Sequence, residues 1–157
     1  MEAIQELLEI EAIRRLKYRY LRALDWKLWD EMRDCFTPDA TSSYGDGKFS
    51  FSGRDAILNF LVDAMGRPAV HSAHHCHHPE IDLKSATAAV GVWALEDTFI
   101  DTDAGITVHG AAYYRDEYVK VDGGWKIRHT GYQRTFEEVV RRADIPSLEI
   151  TASRWAK

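Results

Sequence analysis

The sequence has few cysteines, fewer basic than acidic residues and no long apolar run. Its two cysteines, Cys35 and Cys76, exclude a disulfide framework and suit a cytoplasmic protein with free thiols. The net charge of −5 argues against nucleic acid as a partner, because a polyanion needs a basic surface. No apolar run approaches the roughly 18 residues of a membrane span, so we expect no membrane partner. The N-terminus also lacks a signal-peptide pattern, which favours a cytoplasmic location.

The chain is nevertheless long and apolar enough to fold alone. It has 157 residues, of which 45% are hydrophobic and 11% are aromatic. This size and composition predict one domain over residues 1–157 with a single core.

The first half of the chain has the periodicity of helices. Apolar residues recur every three or four positions over residues 3–24, with charged residues between them, which predicts a long helix. Further helices are predicted over 28–36 and 54–65, the last with Ser52 as its N-cap. A short strand is predicted over 41–44.

The second half is typical of β structure. Long strands are predicted over residues 69–83, 88–101, 106–121 and 125–136, separated by short turn sequences. Helices followed by antiparallel strands indicate an α+β domain. Strands of about 12 to 16 residues are long and curl. We therefore expect a cone-shaped α+β barrel, with the N-terminal helices packed on a strongly curved, mostly antiparallel sheet.

Five of the seven histidines lie within one of these strands, at positions 71, 74, 75, 77 and 78. Alternation along a strand places His74, Cys76 and His78 on one face and the other three histidines on the opposite face. The histidines can be surface or packing residues, metal ligands or a general base, and His75 is the alternative to His74 in the last role.

The metal interpretation has little support from the spacing. His75 and His77 would present two imidazoles on one face, but such a site also needs a suitably spaced carboxylate and a distant third histidine. Glu80 follows too closely to serve. We therefore predict no metal ligand and no cofactor.

A metal-free general base needs one histidine in a cavity and a carboxylate that orients it. Asp25 directly follows the apolar stripe of the first helix, although it can also be read as an N-cap for the helix at Leu28. Asp97 shares a strand face with Trp93 and Leu95, which makes it a second candidate acid or base, or else a solvated strand-end residue.

Two further polar residues are candidates for the same site. Arg134 lies near the end of the last predicted strand and can bind a carbonyl or anionic oxygen, or be a surface residue. Simple alternation places it opposite Trp125 and Ile127, so it reaches a cavity only if those two face away or a bulge intervenes. Tyr20 lies on the stripe of the first helix and is either a pocket hydroxyl or a core residue.

Four sequence segments together resemble a known family. They are Tyr20-x-x-x-x-Asp25, the run from His74 to Ile81, the strand from Gly91 to Asp97, and the stretch from Tyr118 to Ile127 with its Asp-Gly-Gly-Trp-Lys turn. Over nearly its whole length the chain resembles the SnoaL-like branch of the nuclear transport factor 2-like superfamily. The Tyr-Asp-His set is similar to the sites of scytalone dehydratase, bile acid 7α-dehydratase and lindane dehydrochlorinase.

The resemblance implies a catalytic set and a reaction. His74 would match the catalytic histidine and Asp25 its orienting carboxylate, in an elimination without metal or organic cofactor. Tyr20, Asp97 and Arg134 would match further polar groups of the pocket. The expected function is a cofactor-independent lyase, a dehydratase or related β-eliminating enzyme. The alternatives are an isomerase or cyclase in which Asp97 carries the proton, and a non-catalytic binding or scaffold domain, because the fold alone does not decide function.

The aromatic content predicts the kind of ligand. A pocket rich in aromatic residues suits a flat, apolar small molecule of steroid, polyketide or aromatic type. The residues expected to bind it are Trp26, Tyr44, Phe60, His75, Trp93, Tyr114 and Phe136. Apolar residues on both faces of the strand over 88–101 further predict a homo-oligomer, a dimer or trimer.

Overall fold

The computed structural model describes residues 2–155, so Met1, Ala156 and Lys157 of the predicted domain lie outside the described residues. Three helices and six strands follow one another. The helices are α1 (Ala3–Asp25), α2 (Trp29–Asp34) and α3 (Arg54–Met65), and a short 3-10 turn spans Arg142–Asp144. The strands are β1 (Phe36–Tyr44), β2 (Phe49–Ser52), β3 (Val70–Leu83), β4 (Ala88–Asp101), β5 (Ile106–Val121) and β6 (Gly124–Arg141).

The six strands form one mixed sheet in the order β2-β1-β6-β5-β4-β3. Only the β1–β6 pair is parallel, and the four other pairs are antiparallel. The predicted cone-shaped α+β fold is confirmed as helices packed on an open, curled sheet. Because β3 is the last strand, one of its edges has no neighbouring strand, and the end of α1 lies beside it.

The predicted elements differ from the observed ones mainly in the first half of the chain. β1 begins at Phe36 rather than at Thr41, and β2 was not predicted. α3 spans the predicted residues, but Ser52 belongs to β2 and Gly53, at φ 92°, is the N-cap. The longest helix, α1, carries charges throughout its 23 residues. Within residues 2–155, no helix combines the length and apolarity that crossing a bilayer requires.

Two bulges in β6 decide which of its side chains face the helices. Tyr118 pairs with Ile127 but Glu117 pairs with His129, so Arg128 is an extra residue in β6. A second extra residue, Thr135, separates the pairs that β5 makes with the end of β6. Each extra residue reverses the alternation of side chains between the two faces.

The core contains a fully buried ion pair. Lys17 Nζ lies 2.7 Å from Asp116 Oδ2, and both side chains are 0% exposed. The carboxylate also accepts hydrogen bonds from Tyr118 Oη and Thr130 Oγ1, each at 2.7 Å. Lys17 Nζ also lies 3.5 Å from the centre of the Tyr114 ring. This network joins α1 to β5 and β6, because a buried charge is tolerated only where it is paired and hydrogen-bonded.

Candidate active site

Asp25 and His74 meet where α1 ends beside the outer edge of β3. Asp25 Oδ1 lies 2.6 Å from His74 Nδ1, and Asp25 Oδ2 accepts the backbone N–H of His74 at 2.8 Å. Ser72 Oγ donates a third hydrogen bond to Asp25 Oδ1 at 2.9 Å. The carboxylate therefore holds the histidine by its ring and by its main chain.

This contact fixes which nitrogen of His74 is available for chemistry. A carboxylate facing Nδ1 keeps a proton on that nitrogen and stabilises the imidazolium form. Among residues 2–155, no side chain or backbone group forms a hydrogen bond with His74 Nε2. The side chains of His74 and Asp25 are 11% and 19% exposed, so the pair is largely shielded but still reachable. The arrangement can accept and return a proton at Nε2.

An open groove of about 400 Å³ runs between α1 and β3 and reaches the pair. Its lining residues are Tyr18, Leu21, Arg22, Asp25, Trp26, His74, His75, Cys76 and His77. Trp26 and His75 were among the predicted ligand-binding residues. Trp26 is 52% exposed, and the guanidinium of Arg154 from the C-terminal tail lies 3.7 Å from its ring.

Helical geometry explains why Tyr18 lines the groove and Tyr20 does not. Seven residues before Asp25, Tyr18 lies on nearly the same side of the helix, whereas Tyr20, five residues before it, lies about 140° away. Tyr18 was missed, although its spacing from Asp25 was a usable signal. Tyr20 instead points into the core, where its hydroxyl lies 3.2 Å from that of Tyr44. Burial raises the pKa of Tyr20 well above its usual range, so the hydroxyl stays protonated.

Asp97 and Arg134 form an ion pair next to His74. Asp97 lies opposite His74 in the β3–β4 register. Arg134 binds both oxygens of Asp97, with Nη2 to Oδ2 at 3.0 Å, and also contacts Glu137. Burial alone would lower the pKa of Arg134, but its hydrogen bonds to Asp97 outweigh burial and raise it, so the guanidinium stays charged.

The pair can form because Gly110 lies on the strand between the two residues. A Cβ at Gly110 would lie 2.7 Å from Arg134 Nη1, so a side chain there would displace the guanidinium. Arg134 faces inward because of the bulge at Arg128. Simple alternation from Trp125 and Ile127 would have placed its side chain on the opposite face, so the sequence analysis required such a bulge. Since Arg134 already holds Asp97, neither residue is a free acid, base or anion-binding group.

Most of the predicted aromatic pocket is packed core, which corrects the sequence-based interpretation. Tyr20, Tyr44, Trp93 and Tyr114 are between 0% and 4% exposed. The three tyrosine rings pack among themselves and on Phe36, Phe60 and Tyr132, and the Trp93 ring packs on Tyr18. Trp93 also donates its Nε1 proton to Tyr118 Oη at 2.9 Å. Phe60 is partly buried and stacks between Phe49 and Phe51.

Phe136 departs from its predicted place for a different reason. The second bulge of β6 turns its side chain to the outer face, where it is 49% exposed and its ring centre lies 6.3 Å from that of His109. It therefore does not reach the groove.

The other histidines of the cluster lie away from the Asp25 carboxylate. His75 and His77 are exposed on the outer face, with ring centres 6.4 Å apart. His71 Nε2 lies 2.8 Å from Ser153 Oγ in the C-terminal tail, and His78 lies within a bulge of β3. Across residues 2–155, no group of three or more histidine, cysteine or acidic side chains is arranged to hold a metal ion.

We expect Cys76 to react slowly with alkylating agents, although it lines the groove. Burial raises the pKa of the Cys76 thiol from 9.0 to about 11, which lowers the thiolate fraction at pH 8 by about 10²-fold. Its rate of reaction with iodoacetamide, followed by mass spectrometry, should be lower than that of the urea-unfolded chain by about this factor. Equal rates in the folded and unfolded protein would contradict the expectation.

Comparisons with known proteins agree with this architecture. A crystal structure of a candidate scytalone dehydratase from Novosphingobium aromaticivorans is 27% identical, with a TM-score of 0.78, covering 87% of this chain and 91% of that one. The hexachlorocyclohexane dehydrochlorinase LinA-type3 from Novosphingobium barchaimii is 16% identical, with a TM-score of 0.81, covering 97% and 100%. An uncharacterised protein of Mycobacterium tuberculosis is 23% identical over 145 residues, covering 89% of this chain and 95% of its own length.

A family model places the chain more firmly than any single relative. The model of the SnoaL-like domain matches residues 5–131, which include nearly all of α1, the other two helices, the first five strands and the Asp25–His74 pair. The resemblance inferred from the sequence motifs is thereby confirmed. The chain belongs to the SnoaL-like domain family, within the nuclear transport factor 2-like superfamily.

Proposed function

We propose that this protein is a lyase that eliminates water or a similar leaving group from a small molecule, with His74 as the general base. The observation that carries the proposal is that Asp25 binds both the ring Nδ1 and the backbone N–H of His74. The ring nitrogen Nε2 has no hydrogen-bond partner among the described residues. The relatives support the reaction class, because one is described as a candidate scytalone dehydratase and another as a dehydrochlorinase.

In the proposed reaction His74 Nε2 takes a proton from the carbon next to a carbonyl. The electron pair of the C–H bond forms the new double bond, and the leaving group departs from the adjacent carbon. When the leaving group is a hydroxyl, the imidazolium returns the proton to it and water is released. Asp25 stabilises the imidazolium between these two steps.

The groove favours an uncharged, flat substrate. Leu21 and the exposed ring of Trp26 offer apolar surface, and the Tyr18 hydroxyl is a donor for a carbonyl oxygen. Arg22, the lysine or arginine among the lining residues, already pairs with Glu31, which favours an uncharged substrate over a carboxylate or phosphate.

Two alternative functions have less support. An isomerase or cyclase based on Asp97 would need that carboxylate to be free, whereas Arg134 binds both of its oxygens. If Asp25 and His74 lay far apart, a non-catalytic scaffold would be favoured, but the two side chains are in direct contact.

The Asp25→Asn variant tests the proposal. An amide can hold the imidazole in the wrong tautomer and cannot stabilise its positive charge, so we expect turnover to fall by about 10²-fold or more while the fold is kept. The assay uses the aldol adduct of acetone and para-nitrobenzaldehyde, a neutral β-hydroxyketone whose dehydration gives a conjugated enone that absorbs in the near ultraviolet.

The matched control is Asp30→Asn, which changes an acidic residue in the first turn of α2 that makes no contact with the pair. It should turn over the adduct at the wild-type rate. Equal rates for the Asp25→Asn and wild-type proteins would rule out the proposed role of the carboxylate.

We also propose that the protein is a homo-oligomer. The sheet face opposite the one that contacts α1 carries exposed apolar side chains. Tyr113 on β5 is 47% exposed there, and it pairs with Ala94 on β4, near the half-buried Val92. A second subunit would cover this face and bury roughly 1,200 Å² or more in total. Sedimentation velocity at micromolar concentration should show a dimer or trimer that Tyr113→Glu weakens, and a wild-type monomer would contradict this expectation.

A further inference from the structure

Ser72 makes a contact that sequence reasoning did not single out. It lies two residues before His74 on β3, so the two side chains share a face. Ser72 Oγ donates to Asp25 Oδ1 at 2.9 Å, and this is the oxygen that meets His74 Nδ1 at 2.6 Å. We infer that Ser72 is a positioning residue that sets the orientation of the Asp25 carboxylate and the strength of its bond to His74. The catalytic consequence rests on the proposed function, but the inference itself concerns the pair.

The donor and acceptor in this contact determine how it affects the bond between Asp25 and His74. An ionised carboxylate only accepts hydrogen bonds, so the Ser72 hydroxyl must donate. Two donors on one oxygen share its negative charge, and the Ser72 proton therefore weakens the hold of Oδ1 on the His74 ring. Removing the hydroxyl concentrates that charge on the His74 bond, which strengthens the bond and stabilises the imidazolium.

The geometry shows what the contact does for the carboxylate. Its second oxygen is held by the backbone N–H of His74 at 2.8 Å, so Ser72 and the main chain fix the carboxylate through different oxygens. Neither contact depends on the protonation state of the imidazole. The carboxylate thus keeps its orientation while the ring gains and loses a proton, which is the property that a positioned acid–base pair needs.

Other charged groups near the pair are already occupied or lie further away. Arg22 on α1 pairs with Glu31, and Asp97 on β4 pairs with Arg134. The remaining titratable or charged groups of the groove and its rim are Tyr18, Lys27, His71, His75, Cys76, His77 and Arg154. Ser72 is the neutral donor on the shared oxygen, so its removal changes the pair without adding or removing a charge.

Nitrogen NMR of protein labelled with ¹⁵N-histidine tests the inference without a substrate. The Nδ1 and Nε2 signals of His74 are assigned by their loss in His74→Gln. In Ser72→Ala we expect the Nδ1–H proton of His74 to resonate further downfield than in the wild type, because its hydrogen bond to Asp25 Oδ1 becomes stronger. Ser72→Thr keeps a hydroxyl and should restore the wild-type values.

The control is Ser50→Ala, since Ser50 Oγ donates to Gly47 O in the turn before β2 and not to the pair. Its His74 signals should coincide with those of the wild type. Coincident Nδ1–H signals in Ser72→Ala and wild type would overturn the inference, as would an equal shift in Ser72→Thr. A shifted Nδ1–H signal in Ser72→Ala together with full activity in His74→Ala would leave the positioning role intact and refute the proposed function.

Discussion

Replacing His74 by alanine is expected to lower the turnover of a β-hydroxyketone by about 10²- to 10⁴-fold, because it removes the group that carries the proton. Binding should change much less, since the apolar walls of the groove remain. The Asp25→Asn and His74→Ala losses should not add in the double variant, because both residues serve one proton transfer. The measurement is the initial rate of enone formation at saturating substrate, with circular dichroism as the check on folding.

His75 supplies a matched control within the same strand. His75 is exposed beside His77 at the rim of the groove, so His75→Ala removes an imidazole from the rim and leaves the contacts of the Asp25 carboxylate in place. We expect it to keep the rate within a few-fold of the wild type. A large loss in His75→Ala and none in His74→Ala would transfer the role to the neighbouring residue.

The largest expected effect on stability comes from Asp116→Ala. This change leaves the Lys17 ammonium buried without its partner, and the hydroxyls of Tyr118 and Thr130 lose their acceptor. Breaking a buried pair from one side costs about 3 to 5 kcal/mol of unfolding free energy. Urea unfolding followed by tryptophan fluorescence measures the loss as a lower midpoint.

Two further variants test whether the loss of stability comes from the Lys17 charge that is left buried without a partner. Asp34→Ala removes a carboxylate that is 60% exposed and pairs with Lys126, so it should cost less than about 1 kcal/mol. The double variant Lys17→Met/Asp116→Asn should recover part of the stability, because no charge then remains buried. An Asp116→Ala protein as stable as Asp34→Ala would refute this account of the core.

The sequence was sufficient to predict the pair but not its surroundings. Asp25 directly follows the apolar stripe of α1, and a histidine-rich strand comes later in the chain, which made both residues candidates. The resemblance to the SnoaL-like family then implied that Asp25 pairs with His74. Tyr20 shows the limit of that reasoning: its spacing from Asp25 places it on another side of the helix, and only the packed fold shows that this side is core.

The ion pair of Asp97 with Arg134 shows a second limit. The two residues lie on strands that are not neighbours, and their contact depends on a bulge at Arg128 and on the missing side chain of Gly110. An alternating pattern of residues does not show where a strand contains an extra residue. The position of the bulge is visible only in the pairing of β5 with β6. The second bulge, at Thr135, likewise turns Phe136 to the outer face, away from the pocket that the sequence-based interpretation assigned to it.

Because Asp25 lies at the unpaired edge of β3, it also affects the solubility of the protein. An unpaired strand edge can template association with other chains, and proteins protect such edges with charged groups. Here Asp25 accepts the N–H of His74, and Lys27 Nζ donates to the carbonyl of Val70 at 2.9 Å, so charged side chains occupy two of the outward-pointing main-chain groups. Asparagine at position 25 can still accept the hydrogen bond from the His74 N–H. Alanine cannot, and it would leave that part of the strand edge exposed. Asp25→Ala should therefore favour aggregation as well as abolish activity.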